Sequence, residues 1–337
     1  MQEKPECPVC GAKAWKPLGS RTYRRDQAGR MNPYVNKRLA VLFTVWFPNK
    51  DTVTLTSAAC RKCGFVCSLP RPEPGDVDAK YDYLSSDPET KNEISQTRES
   101  DARRSADLYR RLRPMLASRS SILDFGGGNG RLLSAFLGDG HHCSLVDYGA
   151  QTLPGVHYAG ARLSDIPEGR KFDAIICSHV LEHLAEPAKP VADLKSRLKE
   201  TGTLYVEVPL EIWKRPPLPV EPVTHINYFT PASMRVLLER AGFDVLSCDE
   251  GLYITEEGGT GKAIRAFARG AANDATRPGP EGMGMKQTLH YLAPSPLAQL
   301  LDALKYPTLT RQNFTRRVRR HVGRLPVLWR LVATKQN

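Results

Sequence analysis

Two groups of residues in this 337-residue chain have the types and spacing to do chemistry. The first is Asp124-Phe125-Gly126-Gly127-Gly128-Asn129-Gly130, a D-x-G-x-G-x-G run. Glycines spaced this way let a backbone turn sharply and come close to a bound ligand. The second is a pair of Cys-x-x-Cys-Gly knuckles, Cys7-Pro8-Val9-Cys10-Gly11 and Cys60-Arg61-Lys62-Cys63-Gly64. Each knuckle offers two thiolates from one tight turn, and two knuckles supply a tetrahedral four-cysteine zinc site. A redox pair or a coincidence of spacing are the competing readings. Four protein ligands close the coordination sphere, so Cys7, Cys10, Cys60 and Cys63 are expected to hold a structural Zn2+ ion, not a catalytic one.

The glycine run needs particular elements around it. Ser121-Ile122-Leu123 reads as a buried strand ending at Asp124, and Arg131 to Leu137 has helical spacing. A strand, a glycine turn and a helix N-terminus make a nucleotide-type corner. A dinucleotide fingerprint would need its third small residue at Arg131. The D-x-G-x-G-x-G pattern instead resembles motif I of the class I S-adenosyl-L-methionine (SAM) dependent methyltransferases. The resemblance implies that Asp124, Gly126, Gly127, Gly128 and Gly130 wrap the amino-acid end of SAM. His142 to Val146 reads as the next strand, ending at Asp147, 23 residues after Asp124. An acid roughly 20 residues past such a turn holds a ribose hydroxyl pair, because one carboxylate accepts from both hydroxyls. Tyr148, beside it, is placed in the same pocket.

Downstream, Phe172-Asp173-Ala174-Ile175-Ile176-Cys177 reads as a central buried strand. Its continuation through Val180-Leu181-Glu182-His183-Leu184 is similar to the fourth-strand region of many small-molecule methyltransferases. That likeness implies cofactor contacts from Ser178 and His179. Gly202 to Pro209 reads as a fifth strand, Ala241 to Val245 opens a sixth, and Lys262 to Ala268 is a seventh. The expected fold is α/β, a Rossmann-like seven-stranded class I methyltransferase sheet, mostly parallel with helices on both faces. A small N-terminal zinc-binding β module precedes it and a helical C-terminal extension follows. The boundaries expected are 1–70 for the zinc module, 71–102 for a linker and the start of a helix, 103–270 for the SAM-binding domain, and 271–337 for the basic extension.

A four-cysteine zinc module ahead of a SAM core resembles the sugar C-methyltransferases of deoxysugar biosynthesis and related glycan-modifying methyltransferases. That family carries V-L-x-H after the fourth strand, matched by Val180-Leu181-Glu182-His183. It carries E-H-x-x-Y-F after the fifth, matched in part by Thr224-His225-Ile226-Asn227-Tyr228-Phe229, with Thr224 where the family has glutamate. The family's sizeable second α/β domain has no counterpart in the 67 residues after Gly270. An oxygen or carbon nucleophile usually needs a base, and histidine titrates in the useful range. His225 is the first candidate base and His183 the second, with Tyr228 orienting the substrate. Each histidine has a plain structural alternative.

Composition bounds the rest. With 41% apolar residues the chain can bury a large core, and no stretch approaches the roughly 20 apolar residues of a membrane span. Met1 to Pro5 has no apolar segment of signal type, so residence in the cytoplasm is expected, where eight cysteines read as metal ligands or free thiols. Cys67 is left unassigned, and Cys143, Cys177 and Cys248 read as core residues. Leu39 to Leu55 is expected to form a hairpin between the knuckles, Pro70 to Asp76 a linker, and Glu89 to Leu116 a long polar helix. Nine basic and no acidic residues lie between Ala303 and Asn337. Phe314, Val318, Val322, Leu325 and Trp329 there form a stripe opposite arginines. The stripe either packs on the body or lies on an anionic membrane as a peripheral contact.

The leading expectation is methyl transfer to a sugar, nucleotide-sugar or other small glycan-like acceptor. A nucleic-acid or protein methyltransferase docking through the zinc module and basic tail is the alternative, weakened for nucleic acid because no Asn/Asp-Pro-Pro-Tyr motif follows the fourth strand. A zinc-bearing binding module with an inactive SAM fold is opposed by the intact turn and Asp147. A nicotinamide oxidoreductase is opposed by Arg131. Acceptor identity, the methylated atom and the oligomeric state stay open.

Overall fold

A computed structural model describes residues 1–2, 5–27, 29–30, 32–86, 99–149, 152–214, 222–255, 258–271, 283–307 and 309. Met1–Leu292 forms one compact unit and Ala293–Asn337 a second. The helix expected from Glu89 begins, among the described residues, at Glu99 and runs to Leu112. The arginine-lined stripe of the tail lies outside the described residues, as do 87–98.

In the first unit, strands β1 (Trp15–Arg24), β2 (Thr52–Cys60) and β3 (Val66–Leu69) form an antiparallel sheet. The segment between β1 and β2 departs from the hairpin expected of Leu39 to Leu55. Pro33–Val41 is an α-helix and Leu42–Trp46 a π-turn, so only Thr52 onward is strand. Local chemistry explains this. Asn32 Oδ1 caps the helix by accepting from Val35 N at 2.9 Å, and Pro33 occupies the first turn, where no amide donor is needed. Val35, Leu39, Leu42, Phe43 and Trp46 then recur at three to four residues, the helical period, and all are buried. They close a core with Tyr23, Val53, Leu55, Val77 and Leu84. Pro74, read as linker, instead opens a helix that runs to Ser85.

The second sheet has seven strands. They are β4 (Ser121–Phe125), β5 (His142–Val146), β6 (His157–Gly160), β7 (Phe172–Ser178), β8 (Leu198–Pro209) and, beyond β9 (Asn227–Tyr228), β10 (Phe243–Ile254) and β11 (Thr260–Gly270). Their order is β10-β11-β8-β7-β4-β5-β6. The five from β8 to β6 run parallel, and β11 inserts antiparallel between β8 and β10. The sheet is the seven-stranded Rossmann-like one expected, made mixed by the antiparallel β11. β4 has β5 on one side and β7 on the other, so chain order reverses there. In an open α/β sheet such a switch leaves a crevice at the strands' carboxyl ends.

β9 does not join that sheet. It pairs with β3, Val66 opposite Tyr228 and Cys67 opposite Asn227, and so ties the cysteine module to the segment after β8. The helix Met283–Leu292, read as part of the extension, belongs to the first unit. Thr288 Oγ1 donates to the Gly64 carbonyl at 2.6 Å. A Cβ on Gly64 would meet the Gly284 carbonyl oxygen at 2.2 Å, so the knuckle and the helix can touch only through glycines. In the second unit, Ser295 caps the helix Pro296–Lys305.

Candidate active site

The glycine turn sits at the switch point. Gly126 N donates to the Val146 carbonyl at 2.8 Å, holding the turn between β4 and β5. Gly126 has φ +71° and Gly128 has φ +64°, a region L side chains rarely adopt. Space decides as well. A Cβ on Gly126 would lie 2.6 Å from Val180 Cγ2, and one on Gly127 would lie 2.1 Å from Asp124 Oδ2. Val180, the start of the V-L-E-H segment, therefore presses directly on the turn.

Two acids flank the turn. Asp124 is fully buried, and among the described residues neither of its carboxylate oxygens accepts a hydrogen bond. Burial, reinforced by Asp147, pushes its carboxyl up to about 7. An orphaned buried carboxylate under a glycine turn suits a ligand that brings positive charge, as the ammonium and sulfonium of SAM would. Asp147 accepts from Gly128 N at 2.9 Å through Oδ2 and from Gly149 N at 3.1 Å through Oδ1. Each oxygen retains a second lone pair for a hydroxyl. Tyr148 stands at the rim, 72% exposed.

At the end of β7 the chain takes a left-handed step at His179, φ +58°. Ser178 Oγ donates to Glu207 Oε1 at 3.3 Å. His179 lies between two carboxylates, Nδ1 3.3 Å from Glu182 Oε1 and Nε2 3.5 Å from Glu207 Oε1. Burial opposes a charge on His179, but these carboxylates overcome it and push the imidazole up to about 9. Arg265 Nε completes the network, donating to Glu207 Oε2 at 2.7 Å. Both His179 nitrogens face carboxylates, so its placement is that of a cation bridging Glu182 and Glu207.

His183 and His225 come together. Their ring centroids are 5.0 Å apart in an edge-to-face arrangement. His183 Nδ1 lies 2.8 Å from the Thr224 carbonyl oxygen, which can only accept, so Nδ1 carries the proton. Burial, with His225 and Lys80 close by, holds His183 down at about 4 despite Glu182. His225 Nδ1 lies 2.9 Å from Glu211 Oε2, an orientation that puts the ring's lone pair on Nε2. Tyr228, expected to orient the substrate, turns inward instead. Its ring is buried with Ala59 and Val66, and its hydroxyl donates to the His225 carbonyl at 2.9 Å. It supports the loop that carries His225.

Several residues of this site were not singled out by spacing. Glu182 and Glu211 face the histidine pair, and Arg71 braces the loops that bring it together. Arg71 donates to the Ala185 carbonyl at 2.6 Å and to Asn227 Oδ1 at 2.7 Å. Asn227 Nδ2 in turn reaches the carbonyls of Leu181 and Leu184 at 2.6 and 2.7 Å. From the N-terminal module, Arg38 Nε donates to Thr224 Oγ1 at 3.0 Å, beside the same loop. The only sequence signal was an acid adjoining a histidine in V-L-E-H.

The cysteine cluster is assembled. The four thiol sulfurs lie within 4.8 Å of one another, with Cys7 to Cys63 at 3.6 Å and Cys10 to Cys60 at 3.5 Å. A tetrahedron of zinc–sulfur bonds of about 2.3 Å requires sulfurs about 3.8 Å apart, so the donor set fits zinc. Gly11 N and Gly64 N donate back to the Cys7 and Cys60 carbonyls at 2.8 and 2.9 Å, closing each knuckle. Cys67, Cys143, Cys177 and Cys248 are buried free thiols.

Residues 97–248 match the protein family described as "Methyltransferase domain". A 96-residue segment is 34% identical to the tRNA U34 carboxymethyltransferase of Campylobacter jejuni, covering 26% of this chain and 33% of that protein. The chain thus spans about a third of the length of the curated relatives it matches. Among solved structures, it is similar to 1,6-didemethyltoxoflavin-N1-methyltransferase from Burkholderia thailandensis, with 18% identity and a TM-score of 0.47 over 61% of this chain and 96% of that one. A SAM-dependent methyltransferase from Methanosarcina mazei matches at 15% identity with a TM-score of 0.41, over 49% of this chain and 99% of that one. Among the described residues, no helix is long and apolar enough to cross a membrane.

Proposed function

We propose that this SAM-dependent methyltransferase transfers its methyl group to a sugar, a nucleotide-sugar or another small glycan-like acceptor. The observation that carries this reading is the His183–His225 pair, attached through Val180 to the glycine turn. A hydroxyl-rich acceptor needs hydrogen-bond partners and a base near the methyl donor, and this cluster supplies both. When bound, SAM supplies a methyl on a positively charged sulfur, ready for displacement. In this reading Asp124, Gly126, Gly127, Gly128, Gly130, Asp147, Tyr148 and Ser178 form the cofactor side, and His179 fixes Glu182 and Glu207 around it. His225, oriented by Glu211, takes the acceptor's proton at Nε2. His183, held neutral, positions the acceptor. The N-terminal module supports the acceptor side, since Arg38 reaches the Thr224 hydroxyl.

The test is incubation of the full chain with methyl-labelled SAM and a panel of sugars, nucleotide-sugars, glycans and RNA. Label on a sugar-bearing acceptor, lost in His225→Gln while SAM affinity persists, is the expected result. A second reading is favoured by the Campylobacter relative, whose name specifies a tRNA substrate. Label on RNA alone would select it.

A further inference from the structure

We propose that Glu182, His183 and His225 bind a divalent first-row transition-metal ion at the acceptor end of the site, separate from the four-cysteine cluster. One ligand atom from each of the three lies within 4.8 Å of the other two, and His183 Nε2 is 3.7 Å from Glu182 Oε1. Two imidazoles and one carboxylate with open positions form a donor set suited to such ions.

Three further observations point to a ligand. First, Glu182 is 1% exposed, and among the described residues neither of its oxygens accepts a hydrogen bond and the nearest cation is His179, with Nδ1 3.3 Å from Oε1. A buried carboxylate with a cation near one oxygen and no hydrogen bond on either keeps lone pairs for a further ligand. Second, both histidines are held as metal-binding histidines usually are. Each has Nδ1 against an oxygen, Thr224 O for His183 and Glu211 Oε2 for His225, which fixes the ring and directs the lone pair to Nε2. Third, the loops are tied where the ligands need them. Ile226 N donates to the Glu182 carbonyl at 2.9 Å, and Arg71 with Asn227 links 181–185 to the strand after His225.

The ion would leave coordination positions open for adjacent hydroxyls of an acceptor. This inference rests on the acceptor reading above and changes one role in it: with an ion bound, His225 is a ligand and not a base. The experiment uses the full chain, depleted of loosely held metal with the four-cysteine site left loaded, and titrates Mn2+ followed by electron paramagnetic resonance. A thiolate cluster is a poor host for Mn2+, so the signal reports the histidine–carboxylate site. One bound Mn2+ per chain is expected, with binding weakened at least 10-fold in both Glu182→Gln and His183→Gln. Glu211→Gln, which alters only the support of a ligand, is expected to weaken it about 10- to 100-fold. Circular dichroism of each variant checks the fold, and Cys143→Ser, on β5 and neither a ligand nor a support of one, should bind as the unaltered chain does. Absence of Mn2+ binding, or binding unchanged in all three variants, overturns the metal site. Metal-free protein that methylates a sugar at full rate overturns the ion's part in holding the acceptor while leaving the acceptor reading intact. Mn2+ binding without methylation of any sugar defeats the acceptor reading and leaves the metal site standing.

Discussion

His183 and His225, 42 positions apart in the chain, meet edge to face at 5.0 Å, and each has its Nδ1 turned to a fixed oxygen. The arrangement leaves the two Nε2 atoms as the chemically useful ones. It also makes the pair depend on groups that never touch an acceptor: the Thr224 carbonyl, Glu211, Arg71 and Asn227.

The Glu211–His225 contact gives the first prediction. Glu211→Gln keeps the shape but no longer favours the proton on Nδ1. Turnover is expected to fall about 10- to 100-fold with SAM affinity within about twofold, since the pair lies beyond the glycine turn. Steady-state rates beside calorimetric titration of SAM check this, and undiminished turnover refutes the role given to Glu211.

Gly126 and Val180 yield a coupled pair. Gly126→Ala sets a methyl against Val180 Cγ2 at 2.6 Å and keeps a strained positive φ. SAM binding is expected to weaken about 10-fold or more, roughly 1.4 kcal/mol. Adding Val180→Ala should recover part of the loss, the backbone strain remaining. Strict additivity of the two changes would show that the contact is not what excludes the methyl.

For the cysteine cluster, Cys60→Ser is expected to reduce bound zinc by about one ion per chain and to lower the melting temperature. Turnover should fall too, because β3 holds β9 and β9 follows His225 directly. Zinc content equal to that of the unaltered chain would remove the zinc assignment.

Asp124 predicts a pH dependence. Its folded-state carboxyl, at about 7, lies above the ordinary 3.8, so the folded apoprotein holds a proton that the unfolded chain has already released. The associated stability is complete below about pH 4 and is lost as pH rises to about 7, on the order of 4 kcal/mol in all. Asp124→Asn should flatten that decline in urea titrations. SAM affinity should rise over the same pH range in the unaltered chain, as Asp124 becomes a carboxylate, and not in the variant. A pH-independent difference between the two proteins would contradict the burial of an unpaired acid.

Tyr228→Phe tests a supporting role. The lost hydrogen bond to the His225 carbonyl should cost about 1 kcal/mol of stability, with turnover reduced less than 10-fold. A fall of 100-fold or more would return Tyr228 to the acceptor.

Local spacing carried much of this protein. The D-x-G-x-G-x-G run, the acid at 147 and the alternation of apolar strands with helices are each written within a few residues, because backbone turns and periodic burial are local properties. The two cysteine knuckles were legible for the same reason. Leu39 to Leu55 misled because an apolar run suits a strand or a helix, and the Asn32 cap with a three-to-four-residue period decided for the helix. Tertiary structure alone decided which charges face one another. Glu182 and Glu207 met across His179, and His225 met Glu211, only through the packing of segments far apart in the chain, with β9 pairing to β3 and not to the main sheet. A side chain's protonation, and so its chemistry, is set by burial and by neighbours distant in sequence, and those exist only once the chain has folded.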